Sequence, residues 1–129
     1  MNEELSDDVC RAVAQLVDSL ELLEALLLLY HHQSDRYAPG DIAATLGMSE
    51  TTAATLLEKM RARGLVEADA TPRYGYRPAS EGIAASVAKI AYAHGTRRIA
   101  LTNHIATMAL GRIRELADAF RLKKDGKGG

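Results

Sequence analysis

The chain has 129 residues and a mass of 13.9 kDa, enough for one hydrophobic core but short for two, so a single domain over 1–129 is expected. Hydrophobic residues make up 47%, aromatics 5% and charged residues 26%, with 3 Pro and 10 Gly, which excludes both a disordered tail and a β-rich barrel. A formal net charge of −1 and one Cys give no global reason for a polyanionic partner and exclude an internal disulfide or a Cys-based zinc site, making the reducing cytoplasm the expected compartment.

The 22 Ala and 17 Leu favour helices throughout. The acidic start MNEELSDDVCR lacks the basic region and apolar run of a secretory signal. The apolar stretch Leu20 to Tyr30 is interrupted by Glu21 and Glu24 and is too short to span a bilayer, so no membrane partner is expected. Charge is uneven. Residues 1–30 hold seven acids against Arg11, 31–79 balance, and 80–129 hold nine bases against four acids. Such asymmetry implies opposite charges meeting within the molecule or between subunits, or a basic end that touches phosphate.

In chain order, Val9, Val13, Leu16, Val17 and Leu20 recur at helical spacing, with Ser6 or Asp7 as cap. Asp18 with Glu21 reads as a capping box for a second helix, LELLEALLLLYHH, apolar nearly all round and therefore buried on several sides. Polar residues from Gln33 to Arg36 end it. Pro39 opens a third helix to Leu46, Gly47 stops it, and Ser49 caps a fourth with Glu50 in its first turn. This fourth helix turns Ala53, Leu56, Leu57 and Met60 inward and ends at Gly64. Leu65 to Ala68 and Tyr74 to Arg77 have strand composition, joined by a loop from Asp69 to Arg73. Pro78 closes the hairpin and Ser80 caps a further helix. There Ile83, Val87, Ile90, Ala91, His94, Leu101, Ile105 and Met108 keep one phase across Gly95, which predicts one long helix with a weak point, the alternative being a break at Gly95 with Thr96 as a new cap. Ile113, Leu116, Ala117 and Phe120 mark a last short helix beyond Gly111, and 123–129 reads as a flexible basic tail.

Two short helices across a Gly turn, followed by a small hairpin, make a winged helix-turn-helix, whose second helix can enter a DNA major groove. The runs Asp41-Ile42-Ala43-Ala44-Thr45-Leu46-Gly47-Met48-Ser49 and Leu56 to Val66, with Ala79-Ser80-Glu81-Gly82 after the hairpin, resemble MarR-type bacterial transcriptional regulators over residues 20–82. The fold class expected is thus mainly α with a small β-hairpin, a winged helix-turn-helix core over 20–79. The resemblance implies a homodimer built from N- and C-terminal helices, here 6–18 and 81–120.

The resemblance further implies a recognition helix over 50–63 and a wing over 69–77, with double-stranded DNA as partner. Recognition helices of this kind often carry Arg or Lys, whereas this one offers Glu50, Thr51, Thr52, Ala54 and Thr55. Thr can meet phosphates or thymine methyls, and phosphate affinity must come from Lys59, Arg61, Arg63, Arg73 and Arg77. The DNA-binding residues expected are Ser49, Thr51, Thr52, Thr55, Lys59, Arg73 and Arg77, Arg73 at the wing tip being best placed. Arg63 is expected to meet helix carbonyls. The alternative is a winged helix that binds protein of the transcription machinery through its uncharged face or its basic C-terminal helix.

No metal, cofactor or catalytic site is expected. His31 and His32 are adjacent and point about 100° apart on a helix; His94 and His104 are too far apart for a local pair. His94 is expected in the core or at a dimer contact. Asp7 and Asp8 beside Cys10 disfavour a reactive thiolate, and no phosphate loop or nucleophile elbow occurs. Tyr30, Tyr37, Tyr74, Tyr76 and Tyr92 either line an effector pocket or, as expected, close the core with hydroxyls outward. Arg97, Arg98, Arg112, Arg114, Arg121, Lys123 and Lys124 either clasp a partner's acidic first helix or form a solvated face.

Overall fold

Short polar caps decide where each helix begins. The computed structural model of the chain describes residues 5–128, with side chains to residue 118. Ser6 accepts a hydrogen bond from the Val9 amide and opens α1 (Asp7–Leu16), where Asp7 and Asp8 complement the positive end of the helix dipole. Ser19, not Asp18, caps α2 (Leu20–His31), its hydroxyl accepting from the Leu22 amide. The expected capping box therefore does not form, since Leu22 rather than Glu21 stands at the third helical position, and Asp18 is left free for another task. Pro39 is the first residue of α3 (Pro39–Leu46), and the Asp41 carboxylate accepts from the Ala38 amide just outside it. The helix stops at Gly47, whose φ of 74° and ψ of 42° are left-handed. Ser49 then caps α4 (Glu50–Ala62).

Two three-residue strands follow, β1 (Val66–Ala68) and β2 (Tyr74–Tyr76), antiparallel with Val66 opposite Tyr76 and Ala68 opposite Tyr74. The other edge of β2 is also occupied: Tyr37 and Tyr74 exchange both backbone hydrogen bonds at 2.8 Å. Gly75 permits this approach, since a Cβ there would stand 3.3 Å from Arg36 Cγ and 3.4 Å from the Asp35 carbonyl oxygen.

Ser80 caps α5 (Glu81–Thr96), and α6 (Arg98–Gly128) follows after one non-helical residue, Arg97, at φ −142° and ψ 52°. The expected single helix is thus two. Gly95 and Thr96 are weak helix formers, and the Thr96 hydroxyl donates to the Tyr92 carbonyl, competing with the helical ladder. Arg97 ends α5 by donating to the Ala93 carbonyl and starts α6 by accepting from the Leu101 amide. The apolar phase survives because a one-residue break leaves Val87 and Ile90 on one side, and Leu101 and Ile105 on the other, facing the same core. Conversely, the separate helix expected beyond Gly111 is part of α6, one interior glycine costing only about 1 kcal/mol in a helix this long. The tail expected at 123–129 lies outside the described side chains.

One continuous hydrophobic cluster runs from Val9 to Ile105. Its centre is α2, whose Leu22, Leu23, Leu26 and Leu29 are almost wholly buried and which touches α3, α4, β2 and α6. The helix predicted to be apolar nearly all round is therefore the one with neighbours on several sides, its exposed strip carrying Glu21 and Glu24. Helix α1 packs on α5, and α3 packs on α4. Beyond Ile105 the outer side of α6 leaves Leu110, Ile113 and Leu116 62–68% exposed, and Ile99 near its start is 74% exposed. Among the described residues no helix is long and apolar enough to cross a membrane.

Candidate nucleic-acid interface

Helix α4 is built with one face in and one face out. Ala53, Leu56, Leu57 and Met60 are buried, while Glu50, Thr51, Thr55, Glu58, Lys59 and Ala62 are exposed and, with half-exposed Ala54, line an open groove along the helix. Of the residues expected to meet DNA, Thr51, Thr55 and Lys59 share this face at four-residue intervals. Ser49 and Thr52 instead hold each other: the Ser49 hydroxyl donates to Thr52 Oγ1 at 2.9 Å and accepts from the Thr52 amide at 3.0 Å. They fix the start of the helix.

The hairpin stands beside the C-terminal half of α4. Arg77 continues β2, its backbone amide donating to the Leu65 carbonyl. The loop that carries Arg73 is tied by one side chain: Asp69 accepts from the Thr71 amide, the Thr71 hydroxyl and the Arg73 amide. These donors, the Thr71 hydroxyl foremost, lower the Asp69 carboxyl to a pKa of about 2. The wing tip is thereby a defined loop rather than a loose one. A cleft between α4 and the hairpin is lined by Glu58, Arg61, Val66, Pro72, Tyr74 and Arg77. At its back the Tyr74 hydroxyl donates to Glu58 Oε2, and the Arg61 guanidinium grips the same carboxylate at 2.8 and 3.2 Å. Arg61 first, then Tyr74, hold Glu58 below the usual carboxylate range, and Glu58 in turn raises the Tyr74 phenol. This strut fixes the wing against the helix.

The cations of the surface are mostly occupied. Lys59 Nζ lies 3.5 Å from Asp18, and Arg63 donates to Asp18 at 2.8 Å and to the Leu16 carbonyl at 2.9 Å. Arg63 thus binds a helix carbonyl, as expected, but that of α1 rather than of its own helix. Arg77 stands 3.4 Å from Glu67, and Arg36 reaches Glu67 at 3.4 Å and Asp69 at 4.0 Å. Among the described residues Arg73 has no acidic partner. Sequence reasoning missed Asp18, Arg36 and the strut role of Glu58. Only the Glu58–Arg61 pair had a local signal, three residues apart on one helix; the other contacts span 16 to 47 residues.

The remaining candidates fall outside this surface. Tyr30 and Tyr76 meet edge to face with ring centres 5.3 Å apart, Tyr74 is buried, and Tyr92 is 74% exposed. His31 and His32 are exposed and His94 half-buried; Cys10 is a half-buried thiol. The charge asymmetry meets partly within the chain, where Lys89 of α5 lies 3.6 Å from Asp8 of α1.

This arrangement can be set beside known proteins. Residues 15–90, which run from the end of α1 through the helix-turn-helix and hairpin into α5, match the family described as "Winged helix-turn-helix transcription repressor, HrcA DNA-binding". The crystal structure of a MepR mutant from a multidrug resistant S. aureus clinical isolate is similar in fold, with a TM-score of 0.50 and 20% identity over 88% of this chain and 87% of that one. No curated protein sequence matches the chain. With more than half of its length inside the family match, the chain belongs to the winged helix-turn-helix transcription repressors with the HrcA-type DNA-binding domain, and so is a DNA-binding transcription regulator.

Proposed function

We propose that the protein acts as a sequence-specific homodimeric regulator of the MarR type in the cytoplasm. In this reading α4 with its flanking residues, 50–63, enters the major groove, and the wing, 69–77, holds the backbone or minor groove with Arg73 and Arg77. Thr51 and Thr55 face bases or phosphates, Lys59 faces the phosphates at the far end of the helix, and Ser49 and Thr52 set the angle at which the helix starts. Two protomers joined through the helices at 6–18 and 81–120 address half-sites about one helical turn, roughly 34 Å, apart. The exposed apolar side chains of α6, Leu110, Ile113 and Leu116, are the natural material of such an interface.

The observation that carries this reading is the pairing of an outward α4 face with a wing tip whose Arg73 is held in a tied loop without an acidic partner among the described residues. The test is selection of sites from random duplex DNA, followed by Arg73→Ala and Arg77→Ala. Enrichment of a two-fold symmetric site is expected, as is loss of affinity with a salt slope shallower by about 0.9 per lost phosphate contact. An unchanged slope refutes the wing as a phosphate clamp.

A second reading, a winged helix that binds a protein of the transcription machinery, is favoured by one feature: Lys59, Arg61, Arg63 and Arg77 are all engaged by acids of the chain itself. Co-purification of one defined partner at stoichiometric amounts, with no site enriched from random DNA, decides for it.

A further inference from the structure

Within the groove along α4, Lys59 is the one cation among the lining residues, and it is not free. The acid that holds it, Asp18, belongs to the connector of residues 17–19 between α1 and α2, well away in sequence. Asp18 Oδ2 serves two cations of α4, Arg63 at 2.8 Å and Lys59 at 3.5 Å, while its Oδ1 is buried without a hydrogen-bond partner. From the other side, Arg112 of α6 donates to the Asp18 backbone carbonyl at 3.1 Å.

The two cations are not held alike. Arg63 has a short bond to Asp18 and a second to the Leu16 carbonyl, a two-point grip that pins the end of α4 to the connector. Lys59 has only the longer contact, and its side chain is 46% exposed on the groove side. A contact of this kind between partly exposed groups is weak and readily exchanged. Lys59 is therefore the partner that yields when another anion comes near, and Arg63 the one that stays. In a DNA complex the anion in reach of the groove is a backbone phosphate.

The geometry points to Asp18 as a positioning residue for DNA binding, an internal counter-anion that holds Lys59 at rest and competes with phosphate for it, anchored through its own backbone to α6. This rests on the DNA-binding reading above. It has a consequence for affinity. When phosphate takes Lys59 from Asp18, the DNA sheds a condensed cation as at any phosphate contact, but the broken ion pair and the carboxylate left beside it take away part of the affinity gained. Because Arg112 holds the same residue, the restraint on Lys59 is set from the long helix as well as from the connector.

The test uses the full chain and a mixed-sequence DNA duplex, with affinity measured across a salt series. Asp18→Asn keeps an oxygen for Arg63 and removes the charge; Asp18→Ser does the same with a smaller side chain and serves if the first fails to fold by circular dichroism. Either folded variant is expected to bind the duplex more tightly at 50 mM salt, by roughly two- to fivefold, with the gain shrinking as salt screens the charge that was removed. Lys59→Gln is expected to weaken the Asp18→Asn variant more than it weakens the otherwise unaltered chain, and so to abolish most of the gain. A folded Asp18 variant whose affinity is unchanged or weaker overturns the proposal, as does an equal effect of Lys59→Gln in the two backgrounds. If the unaltered chain binds the duplex and these effects fail, only the role of Asp18 falls; if it binds no duplex, the DNA reading falls with it.

Discussion

Two glycines share a backbone conformation and differ in surroundings, which makes their substitution a test of how α4 meets the wing. Gly47, between α3 and α4, has φ +74°, and Gly64, between α4 and β1, has φ +77°. An L side chain in this region costs roughly 1–2 kcal/mol. A Cβ at Gly47 meets nothing within 4 Å, whereas one at Gly64 stands 3.0 Å from Ala79 Cβ and 3.1 Å from Ile83 Cδ1. Ile83 can turn its terminal methyl aside. Ala79 cannot, because its Cβ moves only with the backbone, and that backbone is bonded to Gly64 itself, Ala79 N to Gly64 O at 2.8 Å. Crowding of this kind adds about 1–3 kcal/mol. Gly47→Ala should therefore cost about 1 kcal/mol and Gly64→Ala about 3 kcal/mol, a difference of roughly 8 °C in melting temperature for a chain of this size. Thermal denaturation followed by circular dichroism reads both. The Gly64 variant should in addition bind DNA more weakly, since relief of the clash shifts Ala79 and the hairpin away from α4. Equal losses in the two variants, or a milder loss at Gly64, refute the argument that the segment after the hairpin is packed directly on the end of α4.

Two further outcomes follow from the same geometry. Asp69 has a carboxyl lowered to about 2, so the order it gives the wing is fully present above the ordinary carboxylate pKa near 4 and is lost as pH falls from there through about 2; the protection of the Thr71 and Arg73 amides, relative to the unstructured chain at the same pH, should fall over that window and, in Asp69→Ala, at neutral pH, with little change in melting temperature. Leu110→Glu with Ile113→Glu changes side chains that are 62% and 64% exposed in the protomer, so the fold should persist while sedimentation reports a monomer and affinity for a two-fold symmetric site drops by at least tenfold; a dimer that survives both charges places the interface elsewhere.

What the sequence shows clearly is what is local. Gly47 and Gly64 announce left-handed stops, Ser49 and Ser80 announce helix starts, and the Leu-rich α2 announces its own central burial, because a cap or an apolar face needs only the residues within a turn or two. The helix-turn-helix and hairpin, and hence the location of the candidate site, could be read on those grounds. The break at Arg97 was legible only as the alternative at Gly95 and Thr96, because the apolar positions keep their phase across it and the signal that reports helices is blind to a single displaced residue. Asp18 was misread for a related reason: next to Ser19 either residue could cap α2, and only the cations of α4, more than 40 residues on, show why the serine takes the cap. The Tyr37–Tyr74 bridge is one residue long and has no period at all.

The charges at the site explain why the uncharged recognition face need not be a weakness. A head whose cations were all free would bind any duplex, since phosphate contacts carry no sequence information. Here Lys59, Arg61, Arg63 and Arg77 are engaged by acids of the same chain, and of these helix and wing cations Arg73 is the one without an acid among the described residues. Each head on its own should therefore hold non-specific DNA poorly, and must draw its affinity from contacts made only when the groove fits Thr51, Ala54 and Thr55. In the proposed homodimer, joining two such heads turns the second binding event into an intramolecular one, so a pair of weak heads becomes a selective whole only on DNA that presents both half-sites at the right spacing. The expectation that separates this from simple electrostatic binding is spacing: inserting half a helical turn, about 5 base pairs, between the half-sites should cost the dimer nearly all of its selectivity while leaving its binding to mixed-sequence DNA unchanged.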